Sequence, residues 1–407
     1  MVTRPVALVA AIIFSNTFAL GAFPVLLPDI ARQSGYDDAA LGLVAGAFGF
    51  ARLLADIPAG VLLSRWLKPA LVFGAIALTA GNVCLVSGGP LALLVLGRAL
   101  YGAGHATVLL GCLLIISRHA DPKQHSFSLN VFEFSGMLGM LLGMVIVALL
   151  PAGWSWDSAL LLASVPQLIG LVLMPSLLRV ISTGDLAASL TLPQSDVRGS
   201  FGRWWRDLAL SRITVLAWAS GCALAIAWAA VGQFILPLRA ARDFELSRVG
   251  IAMLLALPQV IDLCVLLPLG RMADRVSRAR LLGSILLVLT AGVLAMAFGS
   301  FGWAVLGCAL FGIGLAAWML PVSLLGRPAS PRAAAWRVSL HRAWVDVGVF
   351  FGPLGAGLLA DAGHLWLAGV LASLGLAVAG LALLACARSE DDPRTAADAK
   401  GDSNASR

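Results

Sequence analysis

Charge is what this chain has least of. Asp, Glu, Lys and Arg make up only 12% of its 407 residues, while 60% are apolar, and mean hydropathy is +0.93. A water-soluble protein of this size could not cover its surface with so few charges. Recognisable reaction chemistry is also missing. No P-loop, HExxH or GxSxG pattern occurs, so no enzyme signature is present and the energy for any work is expected from an ion gradient. The six cysteines (Cys84, Cys112, Cys222, Cys264, Cys308 and Cys386) are scattered through apolar stretches without a CxxC or Cys/His cluster. That argues against structural disulfides and zinc, and no cofactor is expected.

Apolar runs of roughly 20 residues read as membrane-spanning helices. Twelve are legible, at 5–27, 40–63, 69–87, 90–116, 126–150, 157–178, 212–236, 247–270, 280–299, 302–325, 342–361 and 364–387. The expected fold class is an all-α membrane protein. The first run is too long for a signal-peptide core and more spans follow it directly, so it is read as a helix of the mature protein.

The net charge of +7 would suit a nucleic-acid binder, but its placement argues against one. With both termini on the same side, the inner segments and their flanks hold 22 Lys and Arg, against four outside: Arg32, Arg239, Arg242 and Arg248. This positive-inside bias assigns both ends to the cytoplasm. The outer loop after span seven, with three Arg, is a local exception.

A repeat divides the chain. PAGVLLSRW (58–66) aligns with PLGRMADRV (268–276), and LGRALYGAGHA (96–106) aligns with LGCALFGIGLA (306–316). The offset is 210 in both places, which signals an internal duplication. The expected organisation is a six-span half over 1–178, a cytoplasmic linker over 179–211, a second half over 212–388, and a polar, disordered tail over 389–407. Within the linker, GRWWRDL (202–208) reads as interfacial.

Two six-span halves joined by a hydrophilic linker resemble the major facilitator superfamily of secondary transporters. The resemblance is sharpest at PLGRMADRVSRAR (268–280), where Gly270, Asp274 and Arg275 keep the framework of the family's gating loop. The first-half copy keeps Gly60 and Arg65 but has Ser64 in the acid's place. In span four, Arg98, Gly102 and Gly104 match an Arg-x-x-x-Gly-x-Gly pattern of proton-coupled members. In span eleven, HRAWVDVGVFFGPLGAGLLAD (341–361) resembles a second-half pattern. In span five, GMLGMLLGM (136–144) has the glycines of an antiporter signature but Met140 where its Pro belongs. The resemblance implies a monomer in a bacterial inner membrane that works by alternating access on a small-molecule substrate.

Charges within spans are costly, so they are expected to face a partner or a wet cavity. Arg98, Tyr101 and His105 fall at i, i+3 and i+7 on one face of span four. The family resemblance places that face on the central cavity, with Asn16, Phe18 and Phe23 of span one, Trp218, Trp228 and Gln233 of span seven, and Trp318 and Met319 of span ten as further candidates. Arg98 keeps its charge, so it suits an anionic group rather than carrying a proton. His105 is read equally well as a titrating group or as a packing residue.

Arg52 and Asp56 at i, i+4 are expected to neutralise each other, and Arg342 and Asp346 to compete for the same kind of local pairing. The alternative is a cross-half pair of Arg52 with Asp346. Arg52 plus 210 is Asp262, so the repeat carries opposite charges at one position. Asp262 beside Glu133 of span five would let two carboxyls hold a proton between them, a candidate coupling site.

The expected function is proton-coupled efflux of a small organic solute. Symport uptake of an anionic metabolite with Arg98 as the clamp is the alternative. A non-transporting sensor or scaffold is a third reading, and the intramembrane charges count against it.

Overall fold

The computed structural model describes residues 3–119, 125–151, 153–182, 211–273, 275–325 and 331–391. Twelve of its helical segments are long and apolar enough to cross a membrane. They are α1 (Arg4–Ser34), α2 (Asp38–Asp56), α3 (Trp66–Val86), α4 (Leu91–Ile116), α5 (Ser128–Leu149), α6 (Trp156–Ile181), α7 (Arg212–Arg242), α8 (Arg248–Ala273), α9 (Arg278–Phe298), α10 (Phe301–Ser323), α11 (Arg337–Asp361) and α12 (Leu365–Arg388). No strand occurs among the described residues. The all-α membrane fold with twelve spans holds. Most of the linker and of the tail lies outside the described residues.

Large apolar side chains cover the outside of the bundle. Leu149 is 79% exposed, Val172 75% and Met253 70%. In water such a surface would aggregate; in a bilayer it faces hydrocarbon at no cost.

Small residues let the helices close on one another. The 210-residue offset reappears in this packing. A Cβ at Gly102 of α4 would strike the Phe48 carbonyl of α2, and one at Gly312 of α10 would strike the Pro258 carbonyl of α8. Gly102 and Gly312 differ by 210, as do Phe48 and Pro258. Gly42, Gly46 and Gly49 form a stripe at i, i+4 and i+7 along α2. Their Cβ positions are occupied by the α11 backbone near Pro353, Phe350 and Val349. This stripe seats α2 against α11, while α5 packs on α8.

Several spans are broken where they face the bundle interior. In α1 the helix stops at Asn16 and restarts at Phe18. The Thr17 hydroxyl between them donates to the Gly136 carbonyl of α5, at 2.8 Å. In α7 the stretch Ala227–Ile235 is a π-helix, and the Leu236 N–H reaches back five residues to the Val231 carbonyl. Thr17 and Ala227 again differ by 210. In α10 the α-helix ends at Leu315 and one short turn follows, Leu320–Ser323.

The first-half loop is not an open turn. Helix runs from Asp38 to Val86, and the only non-helical backbone inside it is at Trp66, with φ −136° and ψ 58°. Gly60 and Arg65 therefore lie on helical backbone, the direction change being concentrated in one residue. In the second half, helix continues through Arg271 to Ala273 and Arg275 sits in the turn, with Gly270 inside the helix. Asp274 lies outside the described residues.

Candidate functional site

A narrow cavity opens between α1, α2, α4, α7 and α11, lined by Phe23, Phe48, Arg98, Trp228 and Gln233 among others. Arg98 enters from α4 and is buried, 6% exposed. Its guanidinium lies 4.0 Å over the Phe23 ring and 5.0 Å over the Phe48 ring. Ring faces attract a cation, more so where water is excluded. They do not neutralise it. Among the described residues no carboxylate pairs with Arg98, and its Nε has no hydrogen-bond partner. The equivalent position in the second half is Cys308, fully buried. The fold thus closes this position with a small apolar side chain in one half and a charge in the other, so packing alone does not call for the arginine.

α7 supplies the opposite wall. In an α-helix, residues five apart point well away from each other. The wider π-helix turn brings Trp228 and Gln233 to the same cavity. Trp318 of α10 meets Trp228 edge-on, with ring centres 6.0 Å apart.

Tyr101 is buried beside the cavity but is not among its lining residues. Its hydroxyl donates to the Asn16 carbonyl and lies against the Leu20 N–H, inserted between two groups that a continuous helix would pair. It holds the α1 break, and Asn16 contributes its main chain rather than a cavity side chain. His105 stacks on Tyr101, with ring centres 6.4 Å apart, and tilts against Phe48; its Nδ1 has no partner.

Three further candidates fall elsewhere. The Trp218 indole donates to the Arg337 carbonyl at 3.2 Å and packs with Leu325, away from the cavity. Phe18 is buried against Phe14, and Met319 is half exposed.

The intramembrane charges pair across the halves. Arg52 of α2 meets Asp346 of α11 at 2.9 Å, and Arg342 of α11 meets Asp56 of α2 at 3.0 Å. Neither the expected Arg52–Asp56 pair nor Arg342–Asp346 forms. With the α11 backbone seated on the glycine stripe, each arginine comes within ion-pair distance of the facing acid; Arg342 donates hydrogen bonds to Asp56, whereas Asp346 accepts none. Two arginines and two aspartates make a neutral quartet. At the equivalent interface of α5 and α8, the charge of Glu133 acts on Asp262, and among the described residues no arginine pairs with either acid.

Arg242, Arg248 and Arg239, read as outer and an exception by sequence, are each engaged. Arg242 makes a two-pronged pair with Asp38, at 2.7 and 2.8 Å. Arg248 pairs with Asp29 and donates to the Trp154 carbonyl, at 2.8 and 2.9 Å. Arg239 donates to Asp243 and to the carbonyls of Met296 and Gly299. The first two tie the halves together at the end read as external. Asp29 and Asp38 escaped notice in the sequence because acids at span ends are unremarkable there.

A twelve-helix bundle with tied halves and a buried charged cavity defines a multi-pass membrane transporter. The chain belongs to the Major Facilitator Superfamily, whose family model matches residues 9–238 and 213–406. Among curated proteins it is similar to the human solute carrier family 2, facilitated glucose transporter member 10, with 28% identity over 136 residues. That match spans 32% of this chain and 25% of the human protein. Among solved structures it is similar to a variant of the nucleoside transporter NupG, with 14% identity and a TM-score of 0.73 over 94% of this chain and 99% of that one. A POT family transporter in complex with a thioalcohol-conjugated peptide gives the same identity and TM-score over 96% and 97%. These likenesses show the fold.

Proposed function

We propose that the protein is a proton-coupled secondary transporter of a small organic anion in a bacterial inner membrane, with both termini cytoplasmic. The observation that carries this reading is Arg98, buried in the central cavity with no acid to balance it. A buried unpaired charge is costly, so the site is completed by an anionic group on the substrate. The cross-half ion pairs and the closely seated α2–α11 interface suit alternating access, in which such contacts form in one state and part in another. Glu133 and Asp262 are the groups assigned to proton binding.

The unpaired guanidinium favours the symport reading, in which an anion and protons enter together. Export in exchange for protons is the second reading. It rests on the glycine face of α5, where Gly139 and Gly143 admit the α1 backbone at Phe14 and Phe18. The test is uptake of labelled organic anions into vesicles of known orientation. Wild type is expected to accumulate an anion under an inward proton gradient, and Arg98→Gln to lose at least tenfold. Accumulation only of neutral or cationic solutes, unaffected by Arg98→Gln, overturns the reading.

A further inference from the structure

The cavity around Arg98 specifies more than a negative charge. We infer that its substrate is a flat, largely apolar monocarboxylate of the aromatic-acid class, bound with its carboxylate on Arg98 and its ring among Phe23, Phe48 and Trp228. This rests on the reading of Arg98 as an anion site.

Of the eleven lining residues only Arg98 and Gln233 carry a strongly polar side chain; the rest are aliphatic, aromatic or proline apart from the single indole N–H of Trp228. A sugar or nucleoside brings several hydroxyls, and each one buried without a partner costs about 1–3 kcal/mol. Two polar side chains cannot satisfy them. A peptide or amino acid brings an ammonium, and no acid lines the cavity. A dicarboxylate brings a second negative charge. The other arginines near the bundle centre, Arg52 and Arg342, already face Asp346 and Asp56. One charge and little else polar is what the lining can hold.

In this state the cavity measures only about 20 Å³, room for about one water, so a ring enters it only when the helices around Arg98 part. The Phe23 and Phe48 ring centres lie 4.0 and 5.0 Å from the guanidinium carbon, so a carboxylate bound to Arg98 sits beside both rings. A planar ring attached to that carboxylate then lies among aromatic faces, and such contacts are worth about 0.5–1.5 kcal/mol beyond area burial. Trp228 is held edge-on by Trp318, which fixes the far wall. Gln233, brought to the same side by the π-helix, can receive one ring substituent such as a hydroxyl.

The experiment is a ligand series on the purified full-length protein, read by thermal shift and by labelled-benzoate counterflow. Benzoate and 3-phenylpropionate are expected to bind. Methyl benzoate, phthalate and phenylalanine are expected to bind at least about tenfold more weakly, since each loses or adds a charge. Gln233→Leu is expected to weaken 4-hydroxybenzoate at least about fivefold more than it weakens benzoate. If succinate, gluconate or a sugar phosphate binds through Arg98 and benzoate does not, the aromatic-acid inference falls and the anion reading stands. If no anion binds, or benzoate binds equally to Arg98→Gln, both fall. The wild-type series decides the ligand class even where Arg98→Gln does not fold.

Discussion

Replacing Asp346 with Asn tests the charge quartet most directly. Asp346 has no solvent exposure and Arg52 only 14%, at 2.9 Å. The variant is nearly the same size, so packing is kept and only charge is lost. The quartet then changes from neutral to one net positive charge. Breaking a buried pair by removing one partner typically costs about 3–5 kcal/mol. Asp56 stands one helical turn from Arg52 but is already bound by Arg342 at 3.0 Å. Sharing Asp56 between two arginines recovers part of the loss, which places the expected cost near the lower end, about 3 kcal/mol. With an unfolding entropy of about 2.1 cal/mol/K per residue, a chain of this length loses about 3–4 °C in Tm. The assay is thermal unfolding in detergent of wild type, Asp346→Asn, Arg52→Gln and the double variant. The double variant removes both charges, so it is expected to recover to within about 1 kcal/mol of wild type. If Asp346→Asn matches wild type, or the two single effects simply add, the pair does not hold α2 to α11 as reasoned.

Three further outcomes are expected. Glu133→Gln and Asp262→Asn should each abolish uptake driven by a pH gradient while solute counterflow persists; unchanged gradient-driven uptake in both removes the coupling role. Arg242→Ala breaks a pair that is half exposed on one side, so unfolding should shift by less than about 1 kcal/mol. Labelling of Gln233→Cys from the outside by a membrane-impermeant maleimide should nevertheless rise, in a background without other cysteines, and an unchanged rate refutes a role for the Arg242–Asp38 pair in holding the halves together at that end. Tyr101→Phe removes the hydroxyl wedged between Asn16 and Leu20, leaving a buried carbonyl unpaired. A loss of about 1–3 kcal/mol is expected in the same unfolding assay, and none at all would mean that α1 re-forms a continuous helix.

The spans were legible because hydropathy is a local property and the bilayer demands it over whole turns. The duplication was legible because 210 residues separate like motifs at two sites, and the glycine packing at Gly102 and Gly312 repeats that spacing. The site was only partly readable. Arg98 stood out as a charge inside an apolar span, but its want of an acid could not be seen. Tyr101 shared its helical face, yet its hydroxyl is taken by the α1 break, a carbonyl that no periodicity announces. Trp218 looked equivalent to Trp228, and a difference of ten residues sent one to the Arg337 main chain and the other to the cavity. The π-helix that aims Trp228 and Gln233 together has no compositional mark, because it is a change in backbone hydrogen-bond register.

By itself the sequence determined the solvent, the number of spans, the duplication and which residues carry charge where charge is costly. Those follow from transfer free energies summed along the chain, and each residue contributes its share wherever its neighbours in space are. Only the tertiary structure decided the pairings. Arg52 and Arg342 each had an acid on their own helix and took one on the facing helix. The choice was made by the Gly42, Gly46 and Gly49 stripe, which sets how closely α2 and α11 approach. Charge pairing falls off steeply with distance and desolvation, so it depends on ångströms of helix approach that are fixed by packing between segments nearly 300 residues apart.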